Sequence, residues 1–369
     1  MKCNIRAWRT IGSSGCSTIR MDCFVPIGRR LRSQMSRRYG SWLPNSSLFQ
    51  GVFPIVVTPF RNDKQETLDI PSFCRSLLRL ADIGVQGVTI MGVLGESNRM
   101  TESERHDLIV AAKTTIQEQI RSPFALVVGT SHTGTASTLA LCKMAQELGA
   151  DAVMVAPSKD GLYQPSNEVI LEFYLRIANE CPNLPMVVQD HPSSTGVQLS
   201  LDLLVDIVTQ IPSVQCIKLE SLPTVNRLAA LRDNKTFRDR HRNCSILTGL
   251  GALYAGFDLE QGTNGFMTGF AFPEILMAMN NYAQKGQYEQ AHALYAKFLP
   301  LIVLEQQQPG GLAIRKEIYR LRGWIDCSHL RHPGTNLSDP IRNALLQQIK
   351  RSLPNIDITK PLPLDVLHV

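Results

Sequence analysis

Between residues 51 and 284, eight short apolar runs alternate with longer segments that carry apolar residues at helical spacing, and no other feature of the sequence limits the possible folds as strongly. The apolar runs begin at Phe53, Gly87, Phe124, Ala152, Met186, Val214, Ser245 and Gly265. The second long segment opens with a capping-box pattern, Thr101 followed three residues later by Glu104. Runs this short and apolar are typical of strands buried on both faces of a parallel sheet.

Eight strand–helix units in about 235 residues predict an α/β fold, the (β/α)8 TIM barrel. The main alternative is a doubly wound open sheet, which usually has fewer strands, and no G-x-G-x-x-G follows the first strand here. We assign the barrel to residues 48–285. About three further helices are expected over residues 286–353, including Tyr288–Val303 and Gly311–Arg322, and residues 354–369 are expected to form a loose tail.

Residues 1–47 form a basic leader that we leave out of the fold. They hold Lys2 and eight arginines against a single acid, Asp22. This composition, rich in arginine and serine, is that of an organellar transit peptide. An over-extended start is the alternative, with Met21 or Met35 as the true first residue. We therefore expect a cytoplasmic protein, or one of the mitochondrial or plastid matrix if the leader is a real transit peptide.

The composition argues against several classes of partner. The net charge of the chain is +6, but the leader alone carries +8, so the remainder is mildly acidic and nucleic acid is not an expected partner. No apolar run reaches the ~18 residues of a membrane span. The nine cysteines include no C-x-x-C pair, which argues against a zinc site and a disulfide framework.

Lys218 is the residue that most suggests chemistry. It ends an otherwise apolar strand, and in a TIM barrel the reactive groups lie at the carboxyl ends of the strands. Burying an unpaired ammonium costs several kcal/mol, so such a lysine is either functional or compensated by a carboxylate such as Glu220. Burial favours the free amine, which can attack a ketone and form an imine. A strand-end lysine that reaches solvent is the alternative.

The sequence around Lys218 resembles the dihydrodipicolinate synthase and N-acetylneuraminate lyase family. Five landmarks occur in the family's order over about residues 50–320: Gly51–Phe60, ending in Thr58-Pro59-Phe60; Gly92–Glu96; Gly161–Gln164; Pro192–Gly196; and Ile217–Lys218. The resemblance implies that Lys218 condenses with the keto group of pyruvate or a related 2-oxo acid, and that an aldehyde is the second substrate. It also implies a homo-oligomer, by analogy a tetramer.

The resemblance implies roles for further residues. Backbone amides of the Gly92–Gly95 loop, which includes Val93 and Leu94, would hold the substrate carboxylate, and Glu96 would order the loop. Other residues at the ends of strands are expected to line the substrate site: Thr58, Ser194 and Gly265. No metal and no organic cofactor is expected, because the lysine itself supplies the electron sink.

The chain departs from the family at three places. Val93 and Leu94 replace a threonine or serine pair, one of which normally belongs to a proton relay. The stretch of residues 157–161 is shortened and lacks the family's catalytic tyrosine. Ser194 stands where the synthases place the arginine that receives the carboxylate of the aldehyde. Proton transfer therefore needs a substitute, for which Asp190, His191, Lys159 and Tyr163 are available, although Tyr163 also matches a structural tyrosine of the family.

Three functions remain open from the sequence. A lyase or aldolase that forms a Schiff base with a 2-oxo acid, acting with an unidentified aldehyde, is the leading prediction. The second is 4-hydroxy-tetrahydrodipicolinate synthase activity, which the loss of the arginine makes less favoured. The third is a catalytically silent member of the family that binds a small metabolite.

Overall fold

The computed structural model describes residues 48–240, 244–307 and 310–367. The predicted leader therefore lies outside the described residues. Eight parallel strands form a single sheet. They are β1 (Gly51–Val52), β2 (Gly87–Ile90), β3 (Ala125–Gly129), β4 (Ala152–Val155), β5 (Met186–Asp190), β6 (Val214–Leu219), β7 (Ser245–Thr248) and β8 (Gly265–Phe266).

The sheet closes on itself as a barrel. Each strand from β2 to β7 pairs with the next in the chain, and β8 pairs with β1 through Gly51 and Gly265. The segment after β1 completes the ring, because the Val56 amide donates to the Thr89 carbonyl at 2.9 Å and the Thr89 amide donates to the Pro54 carbonyl at 2.9 Å. The predicted (β/α)8 fold is confirmed.

Helices separate the strands along the chain. In the barrel they are α1 (Ile70–Ile83), α2 (Glu102–Gln119), α3 (Thr135–Glu147), α4 (Asn167–Glu180), α5 (Pro192–Thr195), α6 (Leu201–Gln210), α7 (Thr224–Asp233), α8 (Lys235–Arg240), α9 (Ala255–Glu260) and α10 (Pro273–Gln284). The ends of α1 and α2 follow from local chemistry. The Asp69 side chain caps α1, which stops at Gly84 with φ 89°, and the predicted capping box of Thr101 and Glu104 begins α2.

Two layers of apolar side chains form the core. The larger layer lies between the strands and the helices and contains residues such as Val188 and Ile217. The smaller fills the inside of the barrel and contains Val187, Cys216 and Leu247. Neighbouring residues of one strand fall in different layers because side chains alternate between the two faces of a strand.

The structure describes three helices within residues 286–353, as the sequence predicts: α11 (Tyr288–Glu305), α12 (Gly311–Leu321) and α13 (Asp339–Ser352). The prediction of a loose tail is wrong. The segment after α13 ends in a short helix, α14 (Leu364–Leu367), and Leu362 and Leu367 are buried. The Arg322 guanidinium also donates to the Ile358 carbonyl at 3.1 Å. The buried leucine side chains therefore pack the tail against the rest of the protein.

The first and last strands are shorter than their apolar runs. Phe53–Val57 is apolar but pairs with a neighbouring strand only through an isolated bridge, while the regular strand ends at Val52.

The short helix Lys235–Arg240 was not predicted, since it has no apolar stripe. No helix in the described ranges has the length and apolar character needed to cross a membrane.

Candidate active site

Alternation along the strands brings Gln189, Lys218 and Glu220 together at the mouth of the barrel. Cys216 and Val187 lie inside the barrel, so Lys218 and Gln189, each two residues further on, point into the same interior. Strand pairing places Gln189 directly beside Lys218. The carboxyl ends of the strands thus supply one cluster of polar side chains above an apolar core.

Lys218 and Glu220 form a buried ion pair. The Lys218 amine Nζ lies 3.0 Å from Glu220 Oε2, and the two residues are only 4% and 6% exposed. Gln189 Nε2 donates to the same carboxylate oxygen at 2.9 Å, and the Leu250 amide donates to Glu220 Oε1 at 3.1 Å. Burial alone would raise the pKa of Glu220, but the Lys218 ammonium, His191 and these donors together hold it below its usual value.

Gly249 makes room for the Glu220 side chain. A Cβ at position 249 would lie 2.2 Å from Glu220 Oε1 and 2.5 Å from its carboxyl carbon. Gly249 follows β7, two residues after the interior Leu247, so a side chain there would point at the same space. The glutamate can occupy this position because the residue that follows the seventh strand has no side chain.

A narrow cavity of about 70 Å³ lies against the Lys218 amine. Its walls combine the apolar side chains Val93 and Leu94 with polar groups from four parts of the chain. The polar lining residues are Gln189, His191, Lys218, Glu220, Thr268 and Gln306. Among these, Lys218, Glu220 and His191 have ionisable side chains.

His191 is a half-buried wall residue of this cavity. Its Nδ1 lies 2.7 Å from the Ser194 hydroxyl. Burial lowers its pKa, and the Lys218 ammonium acts in the same direction, while Glu220 opposes them. The neutral imidazole is therefore the main form at neutral pH, and it remains a candidate for moving protons.

The Gly92–Gly95 loop covers one side of the cavity as a single 3₁₀ turn, Val93–Gly95. The buried Thr58 hydroxyl donates to the Gly95 carbonyl at 2.6 Å, so this side chain fixes the loop. Glu96 follows the turn with φ 52° and is buried. Arg99 binds one Glu96 oxygen at 2.5 Å, and Lys316 of α12 contacts the other.

Lys316 is a second fully buried lysine. Burial lowers its pKa to about 8, although Glu96 opposes this effect. Its amine also donates to the His329 carbonyl at 2.8 Å and lies 4.8 Å from the centre of the Phe60 ring. The Lys316 amine thus contacts the Glu96 carboxylate, which follows the Gly92–Gly95 loop, and a backbone carbonyl of the segment after α12. These contacts hold the loop against α12.

A second, wider cavity of about 910 Å³ adjoins the narrow one, and Val93 and Gln189 line both. Loops after β2, β3, β4 and β5 form its wall, which contains both polar and apolar residues. Polar and charged residues of the wall include Ser97, Asn98, Arg105, His132, Lys159 and Ser194. The structure therefore places Ser194 and Lys159 in this outer space.

Asp190 does not face the Lys218 cavity, so its predicted catalytic role needs correction. It follows Gln189 in β5 and points to the opposite side, with Val188, toward the helices. Its Oδ2 accepts from Arg227 of α7 at 2.9 Å, and the structure gives Oδ1 no hydrogen-bond partner among the described residues. Burial raises the pKa of Asp190 to about 6 against the pull of Arg227.

Two other predicted site residues lie away from Lys218 in this chain. Gly265 begins β8 at the amino end, and a Cβ there would lie 1.9 Å from the Gly51 carbonyl oxygen, so it serves strand contact rather than substrate binding. Thr268, three residues further on, lines the cavity in its place. Tyr163 is 78% exposed and lines neither cavity.

Gln189 and Gln306 are site residues that the sequence analysis missed. Alternation from Val187 would have identified Gln189, since it is the next inward position of β5. Gln306 follows α11, outside the barrel, and no local pattern points to it. A Cβ at Gly251 would lie 1.9 Å from Gln306 Oε1, which shows how closely this side chain approaches the loop after β7.

The fold and the site together define a closed parallel (β/α)8 barrel with a buried lysine at the carboxyl end of its sixth strand. The sequence pattern of the dihydrodipicolinate synthetase family matches residues 48–352. The chain belongs to this family, as the motifs around Lys218 predict.

Curated relatives agree with this membership. L-2-keto-3-deoxyarabonate dehydratase of Azospirillum brasilense is 31% identical over 309 residues, which are 83% of this chain and 95% of the relative. 4-Hydroxy-tetrahydrodipicolinate synthase of Haloarcula marismortui is 26% identical over 294 residues, 79% of this chain and 90% of the relative.

A solved structure supports the same conclusion. Dihydrodipicolinate synthase of Rhodopseudomonas palustris superposes with a TM-score of 0.76 at 29% identity. The match covers 84% of this chain and 99% of that protein, so it includes the barrel and the helices that follow it.

Proposed function

We propose that the protein is a lyase that binds pyruvate or a related 2-oxo acid as a Schiff base on Lys218. The observation that carries the proposal is the Lys218 amine, buried at the inner wall of a small cavity at the mouth of the barrel. The amine would attack the keto carbon at C2, and loss of water would give an imine. The imine nitrogen would then accept the electron pair that a breaking bond leaves behind.

The surroundings of the amine support this role. A buried ammonium needs compensation, and Glu220 provides it at 3.0 Å, but compensation alone explains neither the cavity nor its polar walls. The loop after β2 offers backbone amides next to the cavity, where a substrate carboxylate would bind. No metal or organic cofactor is required by this chemistry, because the imine acts as the electron sink.

Loss of a hydroxyl from C4 is the reaction that we favour within this class. The name of the dehydratase relative gives a 2-keto-3-deoxy acid as its substrate. From an imine at C2, removal of a proton from C3 gives an enamine, and the enamine can expel the C4 hydroxyl as water. Cleavage of the C3–C4 bond instead requires a base at the C4 hydroxyl, and the tyrosine that the family supplies is missing from residues 157–161.

4-Hydroxy-tetrahydrodipicolinate synthase activity is the second candidate, because several relatives carry that name. This activity requires that the site receive the carboxylate of aspartate semialdehyde. Ser194, which lies in the wider cavity, offers a hydroxyl where the synthases place an arginine. Assays of the purified protein with 2-keto-3-deoxyarabonate and with pyruvate plus aspartate semialdehyde would separate the two reactions.

Borohydride trapping tests the Schiff base itself. The protein is incubated with pyruvate, reduced, digested and mapped by mass spectrometry, and a pyruvate-sized adduct is expected on the peptide that contains Lys218. Lys218→Ala should abolish the adduct. Lys159→Ala, which removes a lysine of the wider cavity, should retain it.

The mapping also contains an internal comparison. Lys316 is as buried as Lys218 but contacts Glu96 rather than a cavity, so it should stay unmodified. A folded protein that gives no adduct with pyruvate or other 2-oxo acids would refute the lyase proposal. The silent metabolite-binding function would then take its place.

A further inference from the structure

We propose that Glu220 is the general base that removes the proton from C3 of the imine on Lys218 and then delivers it to the hydroxyl that leaves from C4. This inference rests on the proposed Schiff base at Lys218. It gives a catalytic role to a residue whose position two places after the lysine would otherwise suggest only charge compensation.

The position of the carboxylate relative to the amine carries the first step of the argument. Glu220 Oε2 lies 3.0 Å from Lys218 Nζ. In an imine the nitrogen is bonded to C2, and C3 is one bond further, about 2.5 Å from the nitrogen by ordinary bond lengths. A carboxylate oxygen in contact with the nitrogen is therefore within reach of a C3 proton as well.

The composition of the cavity carries the second step. Of the groups that line it within the described ranges, Lys218 is consumed by the imine, which leaves Glu220 and His191 as proton carriers. Among the contacts of the described residues, the His191 ring contacts the Ser194 hydroxyl, 2.7 Å from its Nδ1, and not Lys218. Of these two described residues, Glu220 is the one in direct contact with the reacting nitrogen.

The support of the carboxylate carries the third step. Gln189 of β5 and the Leu250 amide, in the turn after β7, each donate to one of its two oxygens, and Gly249 leaves the space that it occupies. Such fixed donors restrict the carboxylate to a single orientation. A glutamate needed only for charge balance would require neither the amide donor nor the cleared space.

The charges make the proton transfer favourable in a buried site. The protonated imine is a cation and Glu220 is an anion. When the C3 proton moves to Glu220, the C3–H electron pair forms the C2–C3 double bond, and the C2–N π pair returns to nitrogen. A neutral enamine and a neutral carboxylic acid result, and burial favours the uncharged pair.

The second half of the reaction returns the proton. The enamine re-forms the C2–N double bond and a double bond between C3 and C4, while the C4–O bond breaks with its electron pair. The Glu220 carboxylic acid protonates the departing oxygen, so water leaves and Glu220 is again a carboxylate. No oxidant, reductant or metal takes part.

Proton exchange into pyruvate isolates the first half of this sequence. Pyruvate is incubated with the protein in D₂O, and loss of the methyl proton signal is followed by NMR. The fraction of protein trapped by borohydride is measured in parallel, so that exchange is expressed per imine formed. We expect Glu220→Gln to form the imine and to lower exchange per imine by about 10²–10⁴-fold, the usual contribution of general acid–base catalysis.

Two further variants keep the test decisive. Glu220→Asp retains a carboxylate and should recover part of the exchange per imine, whereas His191→Asn should lower it far less than Glu220→Gln. Unchanged exchange per imine in Glu220→Gln would overturn the proposal and leave Glu220 as a positioning residue. A larger loss in His191→Asn than in Glu220→Gln would transfer the role to His191.

The remaining outcomes separate this inference from the proposed function. If the wild-type protein forms no imine, the proposed function fails and the inference fails with it. If the wild-type protein forms the imine without exchange, the Schiff base stands and the role of Glu220 at C3 is refuted. If neither Glu220→Gln nor Glu220→Asp forms an imine, Glu220 is needed by Lys218 for imine formation. This outcome also refutes the proposal that Glu220 acts as the base at C3.

Discussion

Individual residues in this barrel differ in function according to the face of the strand that carries them. Gln189 and Asp190 are neighbours in β5, yet Gln189 holds the carboxylate next to Lys218 while Asp190 pairs with Arg227 on the helical side. The sequence shows two polar residues at the end of one strand but does not indicate which of them points into the barrel. Only the position of Val187 inside the barrel decides which of the two points inward.

Asp190 leads to a prediction about stability and pH. Its pKa is about 6 in the folded protein, above the ~3.9 of an unfolded chain, because burial favours the neutral acid. The folded state binds this proton more tightly, so the carboxyl stabilises the fold below about pH 4, and that contribution is lost as the pH rises to 6 and beyond. Asp190→Asn removes the titration.

Urea unfolding at about pH 4.5 and pH 7.5 measures this effect. The stability of the wild type relative to Asp190→Asn should fall by about 2 kcal/mol between the two pH values. Equal pH slopes for the two proteins would show that the pKa of Asp190 does not change on folding.

At the scale of elements, the helices after the barrel take part in the site. Lys316 of α12 contacts Glu96, and Gln306 at the end of α11 lines the cavity. The loop that covers the site is therefore held from outside the eight strand–helix units.

Breaking this anchor should cost stability. Lys316→Met leaves Glu96 buried with Arg99 as its remaining partner, and we expect the free energy of unfolding to fall by about 3 kcal/mol. The double variant with Glu96→Gln removes both charges and should recover most of the loss. Lys350→Met, at an exposed position of α13, is the matched control and should change stability by less than about 0.5 kcal/mol. If the double variant is as unstable as the single one, the stability lost in Lys316→Met does not come from breaking the charge pair.

The sequence predicts the elements of this fold well because their signals are local. The capping box of Thr101 and Glu104, for example, is visible in the sequence alone, and the structure has it at the start of α2. Lys218 could also be singled out, since a charged residue at the end of an apolar run is visible without the fold. The roles of Gln306, Lys316 and Gly249 depend on contacts between distant segments, and no periodicity encodes them.

For the whole molecule, the tail completes the packing of the C-terminal helices. Leu362 and Leu367 are buried, and the Leu362 amide donates to Glu274 at 3.3 Å. Glu274 in turn pairs with the buried Arg322 at 2.5 Å. The last residues thus contact both the barrel helix α10 and the segment that follows α12.

Removal of residues 354–369 should therefore destabilise the protein. Burial of two leucine side chains contributes about 3–6 kcal/mol as an upper estimate, and Leu362→Ala alone should cost about 2–4 kcal/mol. Urea unfolding of both variants measures the loss, with Lys360→Ala at an exposed position of the tail as the control. A truncated chain as stable as the intact one would show that the tail packs without stabilising the fold.

The space at Gly249 has a consequence for how such a site can change over generations. Glycine and alanine codons differ by one nucleotide, and the single methyl group that this change adds would occupy the place of the Glu220 carboxylate. A descendant with alanine at position 249 would therefore have to move its glutamate or replace it. The residue that one of the two positions can carry therefore depends on the residue at the other.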